Sequence, residues 1–168
     1  MSYSNSQRAS GGEMKLGGYD VAKVKCKGYE IRDDLYYDHD RNLWVERIAS
    51  NSVRVGFDPL GVEVSGTLAQ LVMHPNLGTL CRGDAVGTLE AEKFVGPLET
   101  PLGGRVVAFN EAVISDPRRI YADCFQAWLF ELAGVQSEEL ATLVHPTDVT
   151  KDFEERVETY KRAGVLSW

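Results

Sequence analysis

Cysteine is scarce in this chain: three residues, Cys26, Cys81 and Cys124, an odd number at wide spacing in 168. Without a Cys-x-x-Cys pair or a Cys/His cluster there is no zinc framework. The thiols read as reduced, in a cytoplasmic setting, and as buried inert side chains. No uninterrupted apolar run approaches the roughly 20 residues that a membrane-spanning helix needs. The polar start, Met1-Ser2-Tyr3-Ser4-Asn5-Ser6-Gln7-Arg8, lacks the apolar core of a secretory signal. Positive charge is also in short supply. Eighteen Lys and Arg face 25 Asp and Glu, a net charge of -7 that argues against a nucleic-acid partner. The three histidines, His39, His74 and His145, are scattered in turn-like segments. No Ser/His/Asp, Cys/His or paired-carboxylate arrangement presents itself, so the chain is not expected to be an enzyme and no catalytic residue or metal ligand is assigned.

What is present is an ordinary globular composition, 43% hydrophobic and 26% charged, sized for one domain with tails. Residues 1–27 read as a disordered tail, most clearly in the Ser/Gly/Lys-rich first 18 or so. Residues 28–135 carry short segments with strand-like alternation. These are Leu35-Tyr36-Tyr37, Leu43-Trp44-Val45, Val53 to Phe57, Gly66 to Met73, Ala85 to Glu90, Val95 to Glu99, Arg105 to Phe109 and Trp128 to Leu132, with a helical turn over Pro59 to Ser65. The spacing predicts a mainly β fold, a sandwich or flattened barrel, not a βαβ arrangement. A faint repeat, Gly66-Thr67-Leu68 and then Gly104-Arg105-Val106, suggests two similar β halves with a joining hairpin near Lys93. Residues 136–168 read as a helical extension packed on the domain. Ser137 to Leu143 makes a short helix. Val149, Phe153, Val157 and Tyr160 mark one face of a longer one, capped by Thr147 or Asp148 and ended by Gly164.

The stretch Gly87-Thr88-Leu89-Glu90-Ala91-Glu92-Lys93-Phe94-Val95-Gly96-Pro97-Leu98-Glu99-Thr100-Pro101-Leu102-Gly103-Gly104 places one lysine between two strand-like segments. At such a tip an amine is accessible to an acylating enzyme. Taken alone, Lys93 is one more solvated surface lysine.

The run resembles the lipoyl-attachment hairpin of the glycine cleavage system H proteins. Glu90-Ala91-Glu92-Lys93 is similar to their Glu-Ser-Val-Lys, and Thr100-Pro101-Leu102-Gly103-Gly104 to their Ser-Pro-x-x-Gly turn. Further matches run in order from Leu35-Tyr36-Tyr37 and Trp44-Val45 to Ser137-Glu138-Glu139-Leu140, over roughly residues 29–160. The resemblance implies a lipoyl-domain-like flattened β-barrel or sandwich with C-terminal helices, and lipoate in amide linkage to Lys93. It also implies a monomeric carrier that a lipoate ligase modifies and that docks transiently on partner enzymes. Glu90 and Glu92 would serve ligase and partner recognition or simple solubility, and Gly104 the backbone shape of the hairpin.

The run also departs from the family pattern. An aminomethyl payload is cationic, and the family places a carboxylate before the first-strand Trp and another after the lysine. Here Leu43 and Pro97 stand at those positions, with Arg41 three residues before Trp44. Arg41, Leu43 and Pro97 are therefore the payload-cleft candidates. Their chemistry suits a neutral or anionic cargo, as in the H-protein-like lipoate-binding proteins of sulfur oxidation, whose partner is a heterodisulfide-reductase-like complex. That is the first expectation. A glycine cleavage carrier, with Glu92 or Glu99 as replacement acids and glycine cleavage enzymes as partners, is the alternative. A non-lipoylated binding module is a third.

Overall fold

The protein's structure, a computed structural model, describes residues 14–16 and 19–168, with side chains from residue 22 onward. Two short antiparallel hairpins come first: β1 (Met14–Leu16) with β2 (Tyr19–Val21), then β3 (Val24–Cys26) with β4 (Tyr29–Ile31). The tail predicted for residues 1–27 lies partly outside the described residues. Where it is described, Val24–Cys26 is a strand with Cys26 only 3% exposed, so the ordered domain begins earlier than expected. Three-residue strands carry too little periodicity to be read from sequence.

The body is an open sandwich of two sheets. One has three strands, β8 (Leu68–Met73), β9 (Ala85–Ala91) and β10 (Val95–Glu99), in the order β10-β9-β8. The other has five: β5 (Tyr36–Asp38), β6 (Leu43–Ala49), β7 (Ser52–Phe57), β11 (Arg105–Phe109) and β12 (Phe130–Ala133). Its order is β11-β12-β7-β6-β5, so the last strand inserts between β7 and β11. The two units of the sequence repeat open on β8 and β11, each an edge strand of its sheet. The mainly β sandwich expected from strand spacing is what forms.

Alternation builds the core. Along β9, Val86, Leu89 and Ala91 are buried while Thr88 and Glu90 face outward. They meet Leu71 and Leu98 of the same sheet and Val45, Val55, Phe130 and Leu132 of the other. At about 1.5–3 kcal/mol for each fully buried large side chain, this interior is the main source of stability.

Short helices join the strands. Helix α1 (Pro59–Ser65) starts where Asp58 accepts a hydrogen bond from Gly61 N at 2.8 Å, with proline in its first turn. Helices α2 (Glu111–Ser115) and α3 (Arg119–Ala122) fill the β11–β12 connection. The short helix expected near Ser137 is a 3-10 segment, Ser137–Thr142. Helix α4 (Val149–Arg162) buries Val149, Phe153 and Val157 on Cys26, Tyr37, Trp44 and Leu60, forming a second core that closes one end of the sandwich. Asp148 precedes α4 without a side-chain cap. His145, exposed in the preceding segment, accepts from Thr147 N at 3.2 Å.

Helix α4 also carries a buried charge. Arg156 is 2% exposed and donates through Nη1 to Asp58 Oδ2 and Asn42 Oδ1, both at 2.8 Å, and through Nε to Asp152 Oδ2 at 2.9 Å. Asp58 is itself fully buried. Truncating one partner of such a pair strands the other charge without water. Arg156→Ala is therefore expected to lose about 3–5 kcal/mol of stability, read as a lowered midpoint in denaturant unfolding. A loss below about 1 kcal/mol would mean that the pair contributes only as a surface bridge does.

Candidate functional site

Lys93 sits at the tip between β9 and β10. The turn closes with Ala91 N donating to Phe94 O at 2.8 Å, which pushes Glu92 and Lys93 outward. The tip is held from below. Glu92 N donates to Thr67 O at 2.8 Å, and Lys93 N donates to Ser65 O at 3.0 Å. Ser65 ends α1, so the hairpin satisfies a carbonyl that a helix end leaves unpaired. The Glu92 carboxylate accepts from Thr67 N at 3.3 Å, tying the same two segments together. The backbone of Lys93 is thus fixed while its side chain is exposed. Among the described residues no carboxylate lies within ion-pair distance of its amine.

The supporting segment is itself clamped. The Tyr121 hydroxyl on α3 donates to Gly66 O at 2.6 Å and accepts from Leu68 N. Gly66 has φ +70°, and a Cβ there would lie 3.1 Å from Glu92 Cβ and 3.3 Å from Lys93 Cγ. The backbone angle favours glycine there, and a Cβ would be tight against the hairpin. Sequence reading did not find Ser65, Gly66, Thr67 or Tyr121. The glycine after the helical turn was a signal for a helix end, but nothing marks Tyr121, which reaches across 55 residues.

Beside Lys93 lies a cleft of about 340 Å³. Arg41, Leu43 and Pro97, the three cleft candidates, line it together with Lys93. Arg41 is not a free cation, however. Its Nη1 donates to Asp38 Oδ2 at 3.1 Å and its Nε to Glu99 Oε1 at 3.2 Å. Burial works against its charge, but the bonds and attraction to Asp38 and Glu99 outweigh it and hold the guanidinium above its ordinary value. Asp38 in turn accepts from the backbone of Asp40 and Arg41, shaping the β5–β6 turn that aims Arg41 at the cleft. Nor is the cleft without acids: Asp40 and Glu99 both line it. The sequence argument that carboxylates are missing holds for positions 43 and 97 but not for the space they enclose.

The remaining candidates do not gather there. Glu90 is exposed on the outer face of β9, opposite Val95 and Gln70. Gly104, with φ +145°, bridges to Leu80, and a Cβ on it would come 2.8 Å from Ala133 O. It serves the sheet junction rather than the hairpin. The cysteines stand apart from Lys93. Burial pushes the Cys124 and Cys26 thiols up from their ordinary values, while Cys81 is exposed in a turn.

Comparison with known proteins supplies the context for this hairpin. The glycine cleavage H-protein family profile matches residues 35–156. The chain belongs to the glycine cleavage H-protein family. It is 26% identical over 135 residues to the probable glycine cleavage system H protein 3 of Sulfurisphaera tokodaii, covering 80% of this chain and 98% of that protein. The glycine cleavage system H protein of Nitrosomonas europaea is 33% identical over 102 residues, 60% of this chain and 78% of that protein. In structure, the H protein of Mycobacterium marinum superposes with a TM-score of 0.60 at 26% identity, over 73% of this chain and 98% of that one. Members of the H-protein family carry lipoate, and the family role is that of a lipoyl carrier. None of these relatives is named for sulfur oxidation, so that finer expectation gains nothing from them.

The residues fit a lipoyl group. The cleft beside Lys93 is lined by apolar Leu43, Phe57, Leu89 and Leu98, which would suit a hydrocarbon arm, and by charged Asp40, Arg41 and Glu99. If Gly66 sets the tip, Gly66→Val forces an unfavourable backbone angle and pushes on Lys93. It is expected to cost at least about 1 kcal/mol and to slow enzymatic acylation of the purified protein, followed by mass. Unchanged melting and unchanged acylation would remove Gly66 from the site.

Proposed function

We propose that the protein is a carrier bearing lipoate in amide linkage to Lys93, and that it passes an aminomethyl group between the enzymes of glycine cleavage. The observation that carries this is the exposed Lys93 amine, without a carboxylate partner among the described residues, on a backbone-fixed hairpin tip beside a cleft. In acylation by a lipoate ligase, the amine nitrogen bonds to an activated lipoyl carbonyl carbon. The activating group leaves with the bond pair, and two protons of the ammonium pass to solvent. Bound there, the lipoyl group supplies a dithiolane that can be reduced, take up a group and be reoxidised. The chain itself acts as no enzyme. Lys93 tethers the arm, raising its effective concentration at each docked partner, and the cleft shelters the end of the arm from water.

The names of the relatives support glycine cleavage enzymes as partners, and Asp40 and Glu99 supply the acids that a cationic cargo calls for. A monomer in the cytoplasm, acting without nucleic acid or membrane, suits this role. Among the described residues no helix is long and apolar enough to cross a membrane. A second reading, sulfur carried to a heterodisulfide-reductase-like complex, draws on Leu43 and Pro97 in the cleft wall, where the family pattern has carboxylates.

The two readings part in one assay. Lipoylated protein is given glycine and glycine decarboxylase, and methylamine loading is followed by intact mass. Loading comparable to that of an established H protein, abolished by Lys93→Arg, is the expected result. Full lipoylation without loading would sink the aminomethyl reading and favour sulfur.

A further inference from the structure

We infer that Glu92 and Tyr121 form a bracket across residues 66–68 that sets the pose of Lys93, and that both are positioning residues for its acylation. This deepens the proposed function and rests on Lys93 being the acylated residue. The bracket is built on five backbone groups of residues 65–68. Two of them take the hairpin backbone: Ser65 O accepts from Lys93 N at 3.0 Å, and Thr67 O accepts from Glu92 N at 2.8 Å. The other three go to the two side chains. Thr67 N donates to the Glu92 carboxylate at 3.3 Å. Gly66 O accepts from the Tyr121 hydroxyl at 2.6 Å, and the same hydroxyl accepts from Leu68 N.

The bracket meets the lysine side chain as well as its backbone. A Cβ on Gly66 would lie 3.1 Å from Glu92 Cβ, 3.2 Å from Glu92 Oε2 and 3.3 Å from Lys93 Cγ, so both side chains cross the bare face of Gly66. The first carbons of Lys93 are thereby aimed before the chain reaches solvent. The far end of the bracket is held in turn. Ile120, next to Tyr121 on α3, is 1% exposed in the core. Asp123 fixes the turn after α3, accepting from Phe125 N and from Lys23 Nζ, each at 3.0 Å. Burial raises the Tyr121 hydroxyl above its ordinary value against the pull of the Leu68 amide, and the nearby Glu92 carboxylate adds to the rise. The hydroxyl therefore stays protonated and able to donate to Gly66 O.

Glu92 thus has a task other than recognition, solubility or cargo binding. It is not among the residues that line the cleft, and its carboxylate is turned onto Thr67 N. The Glu-Ser-Val-Lys run that this hairpin resembles has valine at that position, a side chain that cannot accept such a bond. The consequence for acylation is one of population. An enzyme that binds one pose of the tip does so with an apparent affinity reduced by the time the tip spends in others. Loosening the bracket therefore raises KM and leaves kcat, because the amine and the activated lipoyl group are unchanged.

The test uses the full-length protein, made in a host that lacks lipoate, with a purified lipoate ligase and lipoyl adenylate. Acylation followed by intact mass over a range of protein concentrations separates KM from kcat. Tyr121→Phe is expected to raise KM about three- to tenfold, the weight of one or two hydrogen bonds, and to leave kcat within about twofold. Glu92→Ala is expected to raise KM about twofold, since its bond is longer and exposed. Glu92→Gln is expected to restore it, because an amide oxygen still accepts from Thr67 N. Amide hydrogen exchange, read by NMR, is expected to quicken at Glu92 and Lys93 in Tyr121→Phe and to stay unchanged in β7 and β12. Unchanged KM and exchange in Tyr121→Phe, or a fall in kcat with KM unchanged, would overturn the inference. Equal losses in Glu92→Gln and Glu92→Ala that vanish in high salt would overturn it for Glu92, whose charge the ligase would then be reading. If the unmutated protein takes up no lipoyl group, the assignment of Lys93 fails separately, and the exchange measurement alone decides the bracket.

Discussion

Arg156 is the point on which the site's geometry depends. Its guanidinium is buried against Asp58, Asn42 and Asp152, and its position over the Phe153 ring, 5.2 Å away, anchors it to its own helix. Each acceptor belongs to something the site needs. Asp58 caps α1, whose last carbonyl receives Lys93 N. Asn42, at φ +54°, forms the β5–β6 turn beside Arg41 and lines the cleft. Its backbone carbonyl also accepts from Asp58 N at 3.0 Å, and its amide donates to Tyr160 on α4 at 3.0 Å. The C-terminal helix is therefore more than a lid on apolar surface. It holds the floor of the cleft and the base of the hairpin in one hydrogen-bonded unit. Buried pairs of this kind contribute little net stability but tolerate no single truncation, which suits a part that must fix geometry.

The hairpin uses the opposite economy of interactions. Its backbone is bonded through Ala91, Glu92 and Lys93, yet the exposed Lys93 side chain has no carboxylate partner among the described residues. A carrier needs both conditions, a fixed root so that an acylating enzyme meets one shape and a free amine so that nothing must be broken before acylation. The sharing of charge around Arg41 follows the same division. Asp38 is buried, while the Glu99 side chain is 39% exposed.

Much of the fold was legible because its strands alternate. In β9 and β10 the outward Glu90 and Val95 and the inward Leu89 and Leu98 follow a period of two, and α4 follows its apolar stripe. The insertion of β12 between β7 and β11 was not legible, since strand order is decided by long-range packing that leaves no local pattern. The β3–β4 hairpin was hidden because three-residue strands in a polar segment look like tail. In the site, the resemblance to the H-protein attachment hairpin pointed to Lys93, and Arg41, Leu43 and Pro97 do converge beside it. The charge argument was incomplete because sequence positions are not neighbours in space. Glu99, 58 residues from Arg41, closes onto it, and Asp40 joins the cleft from the adjoining turn.

The central claim, that Lys93 is the root of the arm, is tested most directly by where trypsin cuts the protein purified from a host that makes lipoate. Trypsin cleaves after free lysine and arginine, and an acylated lysine is not cleaved. The account predicts one uncut peptide from Gly83 to Arg105 carrying the mass of a single lipoyl group on Lys93. Recovery of Gly83 to Lys93 and Phe94 to Arg105 as separate, unmodified peptides, with a lipoyl group on another lysine or absent, would contradict it.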